Sequence, residues 1–320
     1  MRSGWGALLV WVLFFIIARF SMGIFLSTGA HNWAPTGPHL HRPIEYAPEF
    51  IALFALFAAT YIVSILEHRT LATYGYQSKR KLPLFLLGIG TGLVLVSALI
   101  GYMALTGTLI FAGRGLSRLA IFKYACIHAV GFFAIACFEE SALRGYLQYT
   151  LTRGMTFLYR RIFNVQYPLH WAFWTAAVLL SGVFVLMHRQ NYGQSSLGLL
   201  AAGLFAMLAA WSLWRTGSLW WAIGFHFACD FSQAFLYGTP VSGYQIRDRL
   251  FITHFHGVPF WTGGTAGLQS SVLFLILIAI AAIAVLWLPQ EEIYPDIQAR
   301  RHAPQIPMSP DPDTIRPRVR

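Results

Sequence analysis

Charge is scarce in this chain. Lys, Arg, Asp and Glu make up 11% of it and hydrophobic residues 57%, whereas a soluble domain carries roughly 25% charged residues. No ordinary soluble surface can be built from that composition. Cysteine is scarce too: Cys126, Cys137 and Cys229 all sit in apolar runs. An odd number without a CxxC pair excludes a disulfide framework or a zinc knuckle, and the three are read as small packing residues. The net charge of +11 comes without interleaved basic and aromatic residues on a soluble surface and without a known nucleic-acid motif, so no nucleic-acid partner is expected. The charge is assigned instead to loops at one membrane face.

What is present is a series of long apolar runs. They imply an all-α, polytopic membrane helix bundle of about eight transmembrane helices of ~20 residues each, with the lipid bilayer as its surroundings. The runs cover about 5–26, 49–66, 83–105, 119–151, 169–188, 197–213, 218–237 and 268–288. The first has only Arg2 before it and is too long for a signal-peptide core, so it is expected to be retained. The fourth is too long for one perpendicular crossing and must tilt or project from the hydrocarbon. Basic loops are expected at 67–82 and 152–168, with a tight link at 214–217. One integral-membrane domain is expected over residues 1–288, with its motif core at about 119–237. The remainder, 289–320, is rich in Pro and Arg and reads as a disordered cytoplasmic tail.

Counting basic residues gives the orientation. With the N-terminus in the cytoplasm, inside segments hold fourteen Lys and Arg and outside segments six. That bias places both termini in the cytoplasm, and the expected location is the inner membrane of a bacterium.

Nine of the twelve acidic residues fall in loops, span ends or the tail. The other three, Glu139, Glu140 and Asp230, interrupt apolar helices. Burying charge there costs at least ~2.5–3.5 kcal/mol per residue, so such groups are expected to have partners and a function. Glu140 and Arg144 stand at i and i+4 and can pair on one helix face; Glu139 lies 100° around the helix and is not committed to Arg144. His226 and Asp230 are likewise i and i+4. His188 closes the fifth run. His128, shortly before the acids, reads as packing or support, and His31, His39, His41, His254 and His256 as loop residues. For the two carboxylates a purely structural lock is the competing reading, and a self-satisfied pair is the competing reading for His226 and Asp230. Chemically, a carboxylate in a cavity of low dielectric can take a proton from water. Imidazoles can orient that water and donate to an oxyanion. This is hydrolase chemistry without an obvious Ser or Cys nucleophile.

Three motifs carry a family resemblance: Glu139-Glu140-Ser-Ala-Leu-Arg144 resembles EExxxR, Phe184-Val-Leu-Met-His188 resembles FxxxH, and His226-Phe-Ala-Cys-Asp230 resembles HxxxN/D. In order and on separate helices, they are similar to the CPBP family of intramembrane proteases. That family includes the CAAX prenyl endopeptidases and bacterial proteins linked to bacteriocin immunity. The resemblance covers about 132–235. It implies an eight-helix, glutamate-dependent endopeptidase acting on a peptide or lipidated protein substrate. Glu139 would be the general base, His188 would position and activate water, and His226 and Asp230 would line the oxyanion site. Glu140 and Arg144 would be supporting motif residues. In a CAAX-type enzyme the cleavage falls near the cytoplasmic side, and the end of the fourth run is expected on that side. No cofactor is required by this reading. A metal-dependent variant would use Glu139, His188, His226 and Asp230 to hold zinc or another divalent ion. The competing functions are a non-catalytic membrane scaffold or immunity factor, and a proton-coupled transporter using the same buried cluster.

Overall fold

A computed structural model describes residues 3–27, 40–41 and 46–299. The chain folds as an all-α bundle with two minimal β-ribbons. In order the elements are α1 (Ser3–Ser27), β1 (Leu40–His41), α2 (Ala47–Leu66), α3 (Lys81–Leu105), β2 (Leu109–Arg114), α4 (Arg118–Glu140), α5 (Gln148–Arg161), α6 (Pro168–His188) and α7 (Ser196–Thr216). They are followed by α8 (Trp220–Phe231), β3 (Gln245–Ile246), β4 (Phe251–Phe255), α9 (Pro259–Thr262), α10 (Val272–Leu286) and α11 (Pro295–Ala299). Six helices among the described residues are long and apolar enough to cross a membrane. The seventh and eighth expected spans fold as shorter apolar elements. One is α8, prolonged by a π-helical turn over Ser232–Leu236, and the other is α10.

The fourth expected span is part of a longer helix. α4 and α5 are joined without a break by a π-helical segment, Ser141–Leu147, into one 44-residue helix, Arg118–Arg161. At 1.5 Å per residue that is about 66 Å, twice the ~30 Å hydrocarbon thickness. The expected loop at 152–168 is therefore helical through Arg161. The basic residues Arg160 and Arg161 fall in the last turn of α5, where cations suit the exposed carbonyls of a helix C-terminus.

α3 and α8 pack backbone to backbone, and glycine is the reason. A Cβ on Gly88 or Gly92 would strike the main chain of α8 at Trp221 and Phe225, and one on Gly224 would strike the main chain of α3 at Phe85. Small residues replace bulk where helices must approach closely in lipid. The contact buries α8 almost completely, with Trp221 and Cys229 fully enclosed.

The two ends of the bundle differ. One end carries Glu67–Arg80, the last turns of α5, the α7–α8 link and residues 289–299. The link turns at Gly217, whose φ of 61° is in the left-handed region; a side chain there would also meet the carbonyl of Glu292. The expected tail does not begin at 289. Ile293, Tyr294 and Ile297 are buried in the main apolar cluster with Tyr149 and Phe173, and Arg69 hydrogen-bonds both Tyr149 and Asp296. Arg153 grips Glu67 at 3.0 Å. Residues 300–320 lie outside the described residues. The other end carries the ribbon of β2 with antiparallel β4 and the parallel pair β1–β3. The loops at 106–117 and 238–264 are thus partly ordered as strands.

Candidate active site

Three helices, α4 with its π-helical continuation, α6 and α8, bring the motif residues together. Glu140 is fully buried. Its Oε1 accepts from Arg144 Nη1 at 3.4 Å and from His226 Nδ1 at 2.9 Å. The expected i,i+4 pair therefore forms, and it has a third member on α8. The guanidinium of Arg144 also lies 4.6 Å from the ring centre of Phe184, a cation–π contact that desolvation strengthens. The same Phe184 ring lies against His188, with ring centres 4.2 Å apart and planes tilted by 40°. The first residue of the FxxxH pattern is thus the piece that joins Arg144 to His188.

Ring geometry fixes the proton positions. The carbonyl of Phe184 accepts from His188 Nδ1 at 2.8 Å; a carbonyl has no proton to give, so Nδ1 carries the hydrogen and Nε2 is left for the cavity. In His226, Nδ1 donates to Glu140. Its Nε2 faces Asp230 Oδ2 at 3.4 Å and Glu139 Oε2 at 3.8 Å. Asp230 is anchored from its other oxygen, Oδ1, which accepts from Gln269 Nε2 at 2.9 Å. Oε2 of Glu139 is buried without a hydrogen-bond partner in the protein, as is Oε2 of Glu140; the two differ in that only Glu139 lines the cavity.

Both π-helical segments sit at this site. One begins at Ser141, directly after the two glutamates, and the other at Ser232, two residues after Asp230. Single π turns in helices are frequent at functional sites because they re-aim side chains. Here the first one returns Arg144 to the buried centre while Ser141 bonds Tyr76.

The cluster lines a cavity of about 360 Å³. Glu139, His188, His226 and Asp230 are on its wall, together with the apolar Phe132, Ile135, Met187 and Phe205. Glu140 and Arg144 stand behind the wall. Several polar lining residues were not picked out by sequence reasoning: Tyr46, Glu49, Asn191, Gln194, Ser242 and Gln269. Glu49 was classed with span-end acids, and only its place at the start of α2 could have flagged it. His128 supports the site from behind by pairing its Nδ1 with Tyr46 Oη at 2.8 Å.

The cavity wall is built from the start of α2, the second half of α4, the end of α6, the start of α7, the second half of α8 and the loop after it. The start of α2, the end of α6 and the start of α7 belong to the end with the β-ribbons, opposite Glu67–Arg80 and residues 289–299. Among the described residues no group of three His, Cys, Asp or Glu side chains is placed to hold a metal ion. His226 and His188 each have Nδ1 hydrogen-bonded to a protein oxygen, which leaves Nε2 of each to face the cavity.

The carboxylates and imidazoles thus stand in a cavity enclosed by the helices of a polytopic bundle rather than on its outer surface. Residues 121–232 match the family model of Rce1-like proteins, described as type II CAAX prenyl endopeptidase Rce1-like. The match spans about a third of the chain and contains all three motifs. No curated protein and no solved structure matches the chain.

Proposed function

We propose that this protein is an intramembrane endopeptidase that hydrolyses a peptide bond of a membrane-associated substrate with Glu139 as general base. The observation that carries the reading is the division of labour between adjacent glutamates. Glu140 stands behind the cavity wall with its Oε1 held by both Arg144 and His226, whereas Glu139 lines the cavity.

In this mechanism a water sits between Glu139 and Nε2 of His188. Glu139 takes its proton as the water oxygen attacks the carbonyl carbon. Charge develops on the carbonyl oxygen, and His226 donates to it through Nε2–H when the ring carries both protons. Glu140 holds that ring in place through Nδ1. Asp230 sits close enough to balance the ring's charge, and Gln269 keeps it turned toward His226 and away from the oxyanion. Collapse breaks the C–N bond, and the proton held by Glu139 passes to the leaving amine. The apolar wall of Phe132, Ile135 and Phe205 accepts a hydrophobic segment or lipidated side chain and excludes bulk water, which strengthens each electrostatic contact. Resemblance to the CAAX prenyl endopeptidases supports a lipidated substrate as one form of that segment.

The test is comparative peptidomics of membranes from cells expressing wild type or Glu139→Ala. Peptides present only with wild type support the reading. Identical peptidomes, with Glu139→Ala also preserving any cellular phenotype, favour a non-catalytic scaffold.

A further inference from the structure

A second cavity, of about 660 Å³, shares no lining residue with the first. Its walls are the start of α6 with Tyr167 and His170, the last two turns of α7 with Trp211, Trp214 and Arg215, and the segment 290–298 with Glu291. That segment can form a wall because Ile293, Tyr294 and Ile297 anchor it in the main apolar cluster. The depth of the cavity follows from helix length. α6 and α7 have 21 residues each, about 31 Å at 1.5 Å per residue, which matches the ~30 Å thickness of the hydrocarbon. Their ends therefore lie at a membrane–water interface, level with lipid headgroups. Trp and Tyr are enriched at that depth. Here, however, Trp211 and Trp214 are half-buried and line a cavity, while Tyr167 and His170 are exposed at its edge. The cavity is thus reached from the outside of the bundle.

Two charges in its wall lack a counter-ion. Arg215 Nε donates to the carbonyl of Leu288 at 2.9 Å, which fixes the guanidinium. Its terminal nitrogens have no hydrogen-bond or ion-pair partner among the described residues. A guanidinium held in this way presents the rest of its fork to an anion, and the fork matches a phosphate. Glu291 is placed beside it by the backbone, its amide donating to the carbonyl of Arg215 at 3.1 Å. The Glu291 carboxylate accepts the Ser78 hydroxyl on Oε1 at 3.2 Å and forms no ion pair with a described residue. One cation and one anion, both half-buried, therefore share a cavity with two indoles.

We infer that this cavity binds the headgroup of a zwitterionic phospholipid, a phosphodiester two carbons from a primary ammonium. Arg215 takes the phosphate. Glu291 takes the ammonium as an ion pair, and Trp211 and Trp214 add cation–π attraction. The acyl chains leave along the apolar outer face of α6, where Trp171 and Val178 are exposed. An anionic headgroup would satisfy Arg215 and leave Glu291 unpaired. A free phosphate would do the same and would gain nothing from the hydrocarbon beside the cavity. The site stands apart from the motif residues, so the inference does not rest on the peptidase reading.

The test is native mass spectrometry of the full chain in mild detergent. Phosphatidylethanolamine, phosphatidylglycerol of the same acyl chains, free phosphoethanolamine and inorganic phosphate are titrated in turn. Wild type should retain one phosphatidylethanolamine, with an apparent Kd on the order of tenfold below that for phosphatidylglycerol, the weight of one charge-assisted contact. Neither free phosphoethanolamine nor phosphate should be retained at the same concentrations. Glu291→Gln keeps the shape and an acceptor for Ser78, so it should fold as wild type does and bring the two lipids within about twofold of each other. Arg215→Gln should weaken both lipids about tenfold. Because Arg215 also holds Leu288, the Glu291→Gln comparison is the deciding one. Equal retention of the two lipids by wild type, or an unchanged preference in Glu291→Gln, overturns the inference. Retention of free phosphoethanolamine as strong as that of the lipid overturns the lipid assignment. Lipid retention is read in Glu139→Ala as well, where it should equal wild type, so the outcome is independent of peptidase activity.

Discussion

The adjacent glutamates provide a comparison in which stability and activity separate. Glu140→Ala strips the only carboxylate among the described residues within 4 Å of Arg144, whose side chain is 3% exposed, and takes the acceptor from His226 Nδ1. Removing one partner of a buried ion pair costs about 3–5 kcal/mol, because it leaves the other charge uncompensated. Glu139→Ala removes a carboxylate whose closest ionic neighbour, His226 Nε2, is 3.8 Å away and whose Oε2 has no hydrogen bond. Its cost should stay within ~1 kcal/mol, as for changes that break no buried network. The assay is reversible denaturant titration of the purified protein in mild detergent, read by tryptophan fluorescence. Glu140→Ala should lose about 3–5 kcal/mol and Glu139→Ala ~1 or less, while both lose peptidase activity. Equal losses in the two variants, or a Glu140→Ala protein as stable as wild type, would refute the division of roles.

Further outcomes follow from the same geometry. Gly88→Leu forces a side chain into the main chain of α8; overpacking costs roughly 1–3 kcal/mol or more, so the variant should fall in yield and thermal midpoint while Gly90→Leu, which meets nothing, should not. Asp230→Asn keeps an acceptor for Gln269 or His226 and should retain more activity than Asp230→Ala, by about tenfold for one hydrogen bond of ~1–1.5 kcal/mol; equal losses would remove the orienting role of Asp230. Exhaustive chelation should leave cleavage unchanged, and loss restored by a divalent ion would return a metal to the site. Asp296→Ala removes the carboxylate that Arg69 holds and should open residues 289–299 to limited proteolysis, with no change in the cleavage pattern of the rest.

Much of the architecture was legible because hydrocarbon imposes a simple rule. Every span must be apolar and internally hydrogen-bonded, so run lengths marked the helices directly. The three acids that break the rule, Glu139, Glu140 and Asp230, marked the site. The i,i+4 spacing of Glu140 and Arg144 survived, although the helix there is π-helical. Less could be read where contacts are long-range. Nothing local shows that His226 turns one nitrogen to Glu140, or that Phe184 bridges Arg144 and His188, since these depend on how α4, α6 and α8 cross. Glu49 and Gln269 reach the cavity from positions that look like ordinary helix starts. The π-helical join kept α4 and α5 continuous, which hydropathy cannot reveal because the polar turns of α5 look like a loop. Residues 289–299 have the Pro and charge of a tail, yet Ile293, Tyr294 and Ile297 are three apolar anchors in a short stretch, and they dock.

The central claim is that Glu139 activates the water. Its most direct test is the single-turnover cleavage rate, in proteoliposomes, of a substrate identified from the membrane peptidome, with Glu139→Gln compared to wild type at matched folded fraction. Gln keeps the shape but cannot take a proton, so the rate should fall by about 10²–10⁴, the usual contribution of a general base. A Glu139→Gln protein that cleaves within a few-fold of wild type would contradict the account.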